Sequence, residues 1–136
     1  VATQDYLDKN GIPRSPDDLA EHTLIASRAG NMGHDWHFDH QGKKQSIRIH
    51  ARLNVTTNQA AINAAKQGIG ITRVISYQVA QALDQGTLKS VLSNYEQPAM
   101  PVHIIHREGR MASNKVRSFI DLMAQKLRLD KRLNAA

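Results

Sequence analysis

Residues 53–74 read Leu-Asn-Val-Thr-Thr-Asn-Gln-Ala-Ala-Ile-Asn-Ala-Ala-Lys-Gln-Gly-Ile-Gly-Ile-Thr-Arg-Val, and three different patterns meet there. The stretch enters at the end of an alternating apolar–polar run, Ser46 to Val55, the period-two mark of a half-buried strand. Thr56-Thr57-Asn58 follows, a cluster of residue types that cap helix starts. Gln59 to Gln67 is then Ala-rich, and Ala61, Ile62, Ala64 and Ala65 give it a small apolar face. Gly68 is a left-handed helix end, and Ile69 to Val74 is a short apolar strand. Strand, helix, strand in this order is a parallel crossover unit, the building block of an α/β fold.

Working outward supports the same class. Upstream, Ser15-Pro16-Asp17-Asp18 opens a short helix that ends near His22, with Ser as cap, Pro in the first turn and acids at the positive end. Thr23 to Ala26 reads as a strand. Trp36-His37-Phe38 and Ser46 to Val55 read as two arms of a hairpin around Gly42, with Trp36 and Phe38 facing in and His37 and Asp39 facing out. Downstream, Ser76 caps a helix carrying Val79, Ala80 and Leu83 and closed by Gly86. Leu88 to Leu92 reads as extended, and Val102 to His106 as a strand. Ser113 caps a long final helix, whose Val116, Ile120, Met123 and Leu127 form one stripe beside Phe119. The stripe breaks up after Leu127, so fraying is expected there. The expected architecture is α/β with a mainly parallel sheet.

Composition bounds the chemistry. At 136 residues the chain has the length of one ordinary domain, and 40% hydrophobic with 22% charged residues is a globular profile. The absence of cysteine excludes disulfides, zinc–thiolate centres and thiol catalysis. Six aromatic residues are too few for a base-stacking platform. No apolar run approaches the roughly 20 residues of a membrane span. The chain begins at Val1 with neither Met nor a signal pattern, and reads as a piece of a longer protein. Of its net charge of +6, residues 107–136 hold +5, from eight bases against Glu108, Asp121 and Asp130. Bases mixed with acids in this way suit a solvated helix face better than a phosphate-binding patch.

Few motifs carry chemistry. The cluster His34-Asp35-Trp36-His37-Phe38-Asp39-His40 has histidines three apart, but a strand puts His37 and His40 on opposite faces, a poor metal geometry, and no metal site is expected. Gly68-Ile69-Gly70 closes a helix and opens a strand, the reverse of a dinucleotide fingerprint. Gly70 there permits close helix–strand packing. No nucleophile elbow, phosphate-binding loop or His-Glu-x-x-His occurs, so no catalytic residue is assigned.

An ordered set of short segments resembles one family. Tyr6-Leu7, Gly11-Ile12-Pro13 and Pro16-x-Asp18-Leu19-x-x-His22 are similar to the start of the second regulatory subdomain of LysR-type transcriptional regulators. Trp36-x-Phe38, Arg52-Leu53-x-Val55-Thr56-Thr57-Asn58 with Ala60-Ala61-Ile62, and Gly68-x-Gly70-Ile71-Thr72-Arg73-x-x-Ser76-Tyr77 continue it. Leu83-x-x-Gly86-x-Leu88, Pro101-Val102-His103 and Lys115-Val116-Arg117-x-Phe119-Ile120-Asp121 complete it, with Ile75 standing where many members carry Pro. The resemblance implies a three-layer, periplasmic-binding-protein-like effector domain. Residues 1–100 would be its second subdomain, and residues 101–136 the returning strand and last helix of the first. The winged helix-turn-helix of the parent regulator would be absent from this chain.

That resemblance further implies a cytoplasmic, non-enzymatic sensor, homo-oligomeric in the parent as a dimer or tetramer. It would need no cofactor and no membrane, and would reach DNA only through the missing domain. A small-molecule effector would bind between subdomains, outside the carboxyl ends of the strands. The candidate residues at strand ends and helix starts are Thr56, Thr57, Asn58, Thr72, Arg73 and Ser76. The helix start at Asn58 favours an anion, and Arg73 suits a carboxylate. On the other side, Thr57 and Asn58 serve equally as plain caps, and Arg73 as the partner of a surface acid. Two further classes stay open at this point: an enzyme on an α/β scaffold, and a generic nucleic-acid binder through the basic C-terminal helix.

Overall fold

The computed structural model describes residues 1–29, 35–107, 113–130 and 133. The chain forms two compact units, Val1–Pro98 and Ala99–Ala136.

In the first unit the order is α1 (Gln4–Asn10), a 3-10 helix (Pro16–Glu21), β1 (Leu24–Ser27), β2 (Asp35–His40), β3 (Lys43–Arg48), β4 (Leu53–Val55), α2 (Asn58–Lys66), β5 (Ile71–Thr72), α3 (Ser76–Asp84) and a 3-10 turn (Ser93–Tyr95). Strands β4, β1 and β5 form a parallel sheet in that order, with Ile25 opposite Leu53 and Thr72, and Ser27 opposite Val55. The crossover through α2 therefore carries the chain from one edge of the sheet, past β1, to the other. Val1 and Thr72 exchange two backbone hydrogen bonds, of 2.7 and 3.0 Å, and Ala2 pairs with Lys89.

Alternation along β1 divides the core in two. Leu24 and Ala26 point into a cluster with Tyr6, Leu7, Leu19, Trp36, Phe38, Ile49 and Ile71. Ile25 points the other way, against Ala61, Ile62, Ala65, Val79, Ala82 and Leu88. The result is three layers: α1 with the hairpin, the sheet, and α2 with α3. This is the expected α/β class with a mainly parallel sheet. Small alanines on α2 are what let its axis come close to the strands.

β2 and β3 form a separate antiparallel hairpin, turning through Gln41 (φ 53°) and Gly42 (φ 80°), whose amide is held by Asp39 Oδ1 at 2.9 Å. Trp36 and Phe38 are buried and His37 is exposed, as alternation requires. The outer face pairs opposite charges across the ladder, Asp35 with Arg48 and Asp39 with Lys44. His34, the first residue of the histidine cluster, lies outside the described residues, as do Glu108, Arg110, Lys131 and Arg132 of the basic segment.

Several sequence expectations change here. Ser46 to Val55 is not one strand: the ladder with β2 stops at Arg48, Ile49 turns into the core, and Arg52 N–H donates to Leu24 O at 3.0 Å, passing the chain to the parallel sheet. The alternation was real, but it spans two sheets. The strand expected over 69–74 is only Ile71–Thr72. α3 is capped by Ile75 rather than Ser76, because Ile75 is still extended (φ −74°, ψ 138°) and Ser76 is already helical. Of Leu88 to Leu92 only Lys89 pairs, and Leu92 is left-handed (φ 60°). The close approach of Gly70 is to the backbone of Thr23, where a Cβ would collide with the carbonyl, and not to a helix. Gly68, at φ 71°, does end α2 in the left-handed region.

In the second unit α4 runs Asn114–Leu129, capped by Ser113 Oγ, which accepts from Val116 N–H at 3.4 Å. The helix continues two residues past Leu127, where fraying was expected. Residues 102–106 are not a strand: among the described residues they join no ladder, and Ile105 is 91% exposed.

Candidate functional site

A parallel sheet brings the ends of all its strands to one edge, so β4, β1 and β5 deliver Thr56, Arg28 and Arg73 to a common rim. Arg28 N–H donates to Val55 O at 2.8 Å, tying two of these ends together, and Ser27 Oγ accepts from Ala29 N–H at 3.1 Å.

Thr56 and Thr57 are exposed on this rim. Thr57 is the cap of α2: it is extended (φ −130°, ψ 149°) and its Oγ1 accepts from Ala60 N–H at 3.2 Å. The earlier N–H groups of an α-helix have no acceptor within the helix, so the α2 start keeps donors for an outside group. Asn58 is half-buried; its Nδ2 donates to Gln78 Oε1 at 3.0 Å, while its Oδ1 is shielded from solvent with no hydrogen-bond partner. That bond joins the start of α2 to the start of α3. Ser76 is exposed in the first turn of α3, and since Ile75 has no side-chain acceptor, no side chain caps that helix. Two helix starts thus stand side by side at the strand edge.

The other two candidates are placed differently. Thr72 is 1% exposed and its hydroxyl donates to Ile25 O at 3.0 Å, bracing β5 on β1 from beneath the rim. Arg73 turns towards the hairpin: its guanidinium carbon lies 5.7 Å from the centre of the Phe38 ring, and Nη2 donates to Gln97 Oε1 at 2.9 Å. Burial holds its pKa below the usual arginine range. The structure therefore brings Thr56, Thr57, Asn58 and Ser76 together, puts Thr72 under them, and holds Arg73 at the same edge on the hairpin side.

Sequence reading missed Ser27, Arg28 and Gln78. The strand at 23–26 was read one residue short, which hid that its carboxyl end joins the same rim. The topology rule for parallel strands carries that signal once three strands are recognised. His37 and His40 do not converge: His37 is exposed on the outer hairpin face, and His40 stacks on Tyr95 (4.7 Å) with its Nδ1 3.1 Å from Asn94 O. A groove of about 260 Å³ lies at the opposite end of α2 between Lys66, Gly68, Thr3, Tyr6, Asp5 and Lys9. Among the described residues no helix is long and apolar enough to cross a membrane.

The sequence matches the family described as LysR substrate binding domain over residues 1–128. It is 28% identical over 116 residues to an HTH-type transcriptional regulator of Haemophilus influenzae, covering 85% of this chain and 40% of that protein. It is 27% identical over 124 residues to the HTH-type transcriptional activator TtdR of Escherichia coli, covering 90% and 40%. The chain thus spans about 40% of the length of these relatives. In fold it is similar to the regulatory domain of AphB from Vibrio vulnificus (TM-score 0.71, 19% identity, 91% of this chain and 61% of that one). It is similar also to the regulatory domain of CrgA, a LysR-type transcriptional regulator from Neisseria meningitidis (TM-score 0.69, 20% identity, 91% and 61%).

Proposed function

The chain belongs to the LysR substrate-binding domain family, and on that footing we propose that it senses a small organic anion at the carboxyl edge of its parallel sheet and relays binding to a DNA-bound parent regulator. The observation that carries this reading is the pair of helix starts, α2 and α3, joined by the Asn58–Gln78 hydrogen bond at that edge. Unpaired N–H groups and the positive ends of two helix dipoles favour negative charge there. Thr56, Thr57, Asn58 and Ser76 line the anion's position, Thr72 fixes the strand below, and Arg73 offers the guanidinium fork that a carboxylate matches. Binding shifts the balance between arrangements of the regulator by its difference in affinity for them.

In this reading residues 1–100 are the second effector subdomain and residues 101–136 return to the first. The parent acts in the cytoplasm as a homo-oligomer and contacts DNA through a winged helix-turn-helix outside this chain. Relatives named as transcriptional regulators favour regulation over catalysis. On α4 the cations Lys115, Arg117, Lys126 and Arg128 are interspersed with Asp121 and Asp130, which suits a solvated helix better than a DNA-binding face.

The test is a thermal-shift screen of small organic acids on the intact effector domain. An acid at a hundred times its Kd adds about 2.7 kcal/mol of stability. Thr57→Ala should fold and lose much of that gain. An undiminished gain in the variant would remove the α2 start from the site.

A further inference from the structure

Arg73 holds more than its place at the rim. Residues 94–97 are the last of the first unit before Pro98. Turn bonds run from Tyr95 N–H to Leu92 O and from Glu96 N–H to Ser93 O, and Tyr95 packs on the core. Besides these, three side-chain contacts from β2 and the end of β5 fasten the segment. His40 stacks on Tyr95, His40 Nδ1 meets Asn94 O, and Arg73 Nη2 donates to Gln97 Oε1 at 2.9 Å. The first two come from β2: a ring stack and a contact with a backbone carbonyl. The third is charged on one side only. The guanidinium is half-buried against Phe38, and burial alone moves its pKa, with no carboxylate among the described residues offsetting it. Its acceptor is a neutral amide that engages one arm of the fork. A carboxylate accepts from two arms at once, in shorter and stronger hydrogen bonds. Gln97 is therefore a weak occupant of a group that a stronger one can take.

We propose that Arg73 is shared between Gln97 and the effector's carboxylate, so that anion binding frees residues 94–98, the segment by which the chain leaves the first unit. This rests on the reading of the strand edge as an anion site. It adds a regulatory consequence: the anion does not only occupy the edge, it withdraws a tether. Coupling of this kind is reciprocal, so removing the Gln97 side of the bond, which leaves the Arg73 fork intact, tightens anion binding. That sign separates competition from support, because a Gln97 that merely positions Arg73 would weaken binding when removed.

The experiment is an amide chemical-shift titration of the isotope-labelled chain with malonate as the probe, on wild type, Gln97→Ala and Arg73→Lys, with hydrogen exchange of residues 94–97 measured in each state. Gln97 is exposed, so its loss should leave the fold's amide dispersion unchanged. The proposal expects malonate to bind Gln97→Ala about three- to tenfold more tightly than wild type, the worth of one modest hydrogen bond. It expects faster exchange at 94–97 in malonate-bound wild type than in the free chain. Arg73→Lys, which keeps the charge and loses the fork, should bind several-fold more weakly. Malonate binding that is unchanged or weaker in Gln97→Ala overturns this inference and leaves the anion site standing. No malonate-dependent shift at residues 57–59 or 73 overturns both.

Discussion

α2 and α4 are both amphipathic helices with a hydroxyl cap, and they differ in what becomes of their apolar faces. In α2, Ala61, Ile62 and Ala65 are buried against β1 and α3. In α4 the larger Val116, Ile120, Met123 and Leu127 keep to one stripe, yet no residue of the helix is buried, and Phe119 is 60% exposed. Spacing sets which face of a helix is apolar. Burial needs a neighbour, and α2 has one because its connections to β4 and β5 are short enough to press it onto the sheet. The stability of the first unit is thus held in tertiary contacts across the sheet.

The sharpest way to break this contrast is to delete matched side chains. Ile25→Ala, in the centre of the sheet at 0% exposure, should cost about 2–5 kcal/mol in urea unfolding, enough to threaten the fold. Leu122→Ala on α4 should change the same midpoint by no more than about 0.5 kcal/mol. Equal losses would mean that α4 contributes to the same cooperative core.

Next in size is Gly70→Ala. Its methyl would meet the Thr23 carbonyl, which accepts from Ile71 N–H at 2.9 Å, so the β1–β5 pairing has to shift. A loss of about 1–3 kcal/mol is expected, and a neutral result would show that this edge yields easily.

Cap deletions sharpen the contrast further. Thr57→Ala should lower the unfolding free energy of the first unit by about 1 kcal/mol. Ser113→Ala should instead reduce helical circular dichroism with little change in the first unit's cooperative midpoint, since α4 belongs to the second unit.

These predictions also mark what the sequence disclosed. The crossover at 53–74 was legible because cap, apolar face, left-handed glycine and strand all agreed; the structure keeps the cap, the face and the glycine, and shortens the strand to Ile71–Thr72. The break between β3 and β4 was not, because Ile47, Ile49, Ala51 and Leu53 alternate without interruption while the chain changes sheets, and periodicity is blind to the ladder partner. The α3 start was misread by one residue because Ser76 has a cap's side chain but Ile75 has the cap's backbone. At the site, the helix starts could be read from residue types. The direction taken by Arg73, towards Phe38 and Gln97, depends on a hairpin 35 residues upstream and left no local signal.

The smallest effect concerns acid. Asp18 accepts backbone N–H groups of Arg14 and Ser15, with the Ser15 hydroxyl as a further donor, and these hold its carboxyl below the usual range. A depressed carboxyl adds stability above its unfolded pKa and loses it as pH falls through the folded one. Stability of the first unit should therefore decline on acidification below about pH 4, and Asp18→Asn should flatten that decline slightly. An identical pH profile would show that these bonds do not outlast solvent competition.

The central claim is that the carboxyl edge of β4–β1–β5 takes an organic anion. An amide-shift map of the effector domain with an acid that stabilises it tests this most directly. The account predicts shifts concentrated at Arg28, Thr57 to Gln59, Arg73 and Ser76 to Gln78. Shifts confined to Thr3, Lys9, Lys66 and Gly68, at the other end of α2, would contradict it.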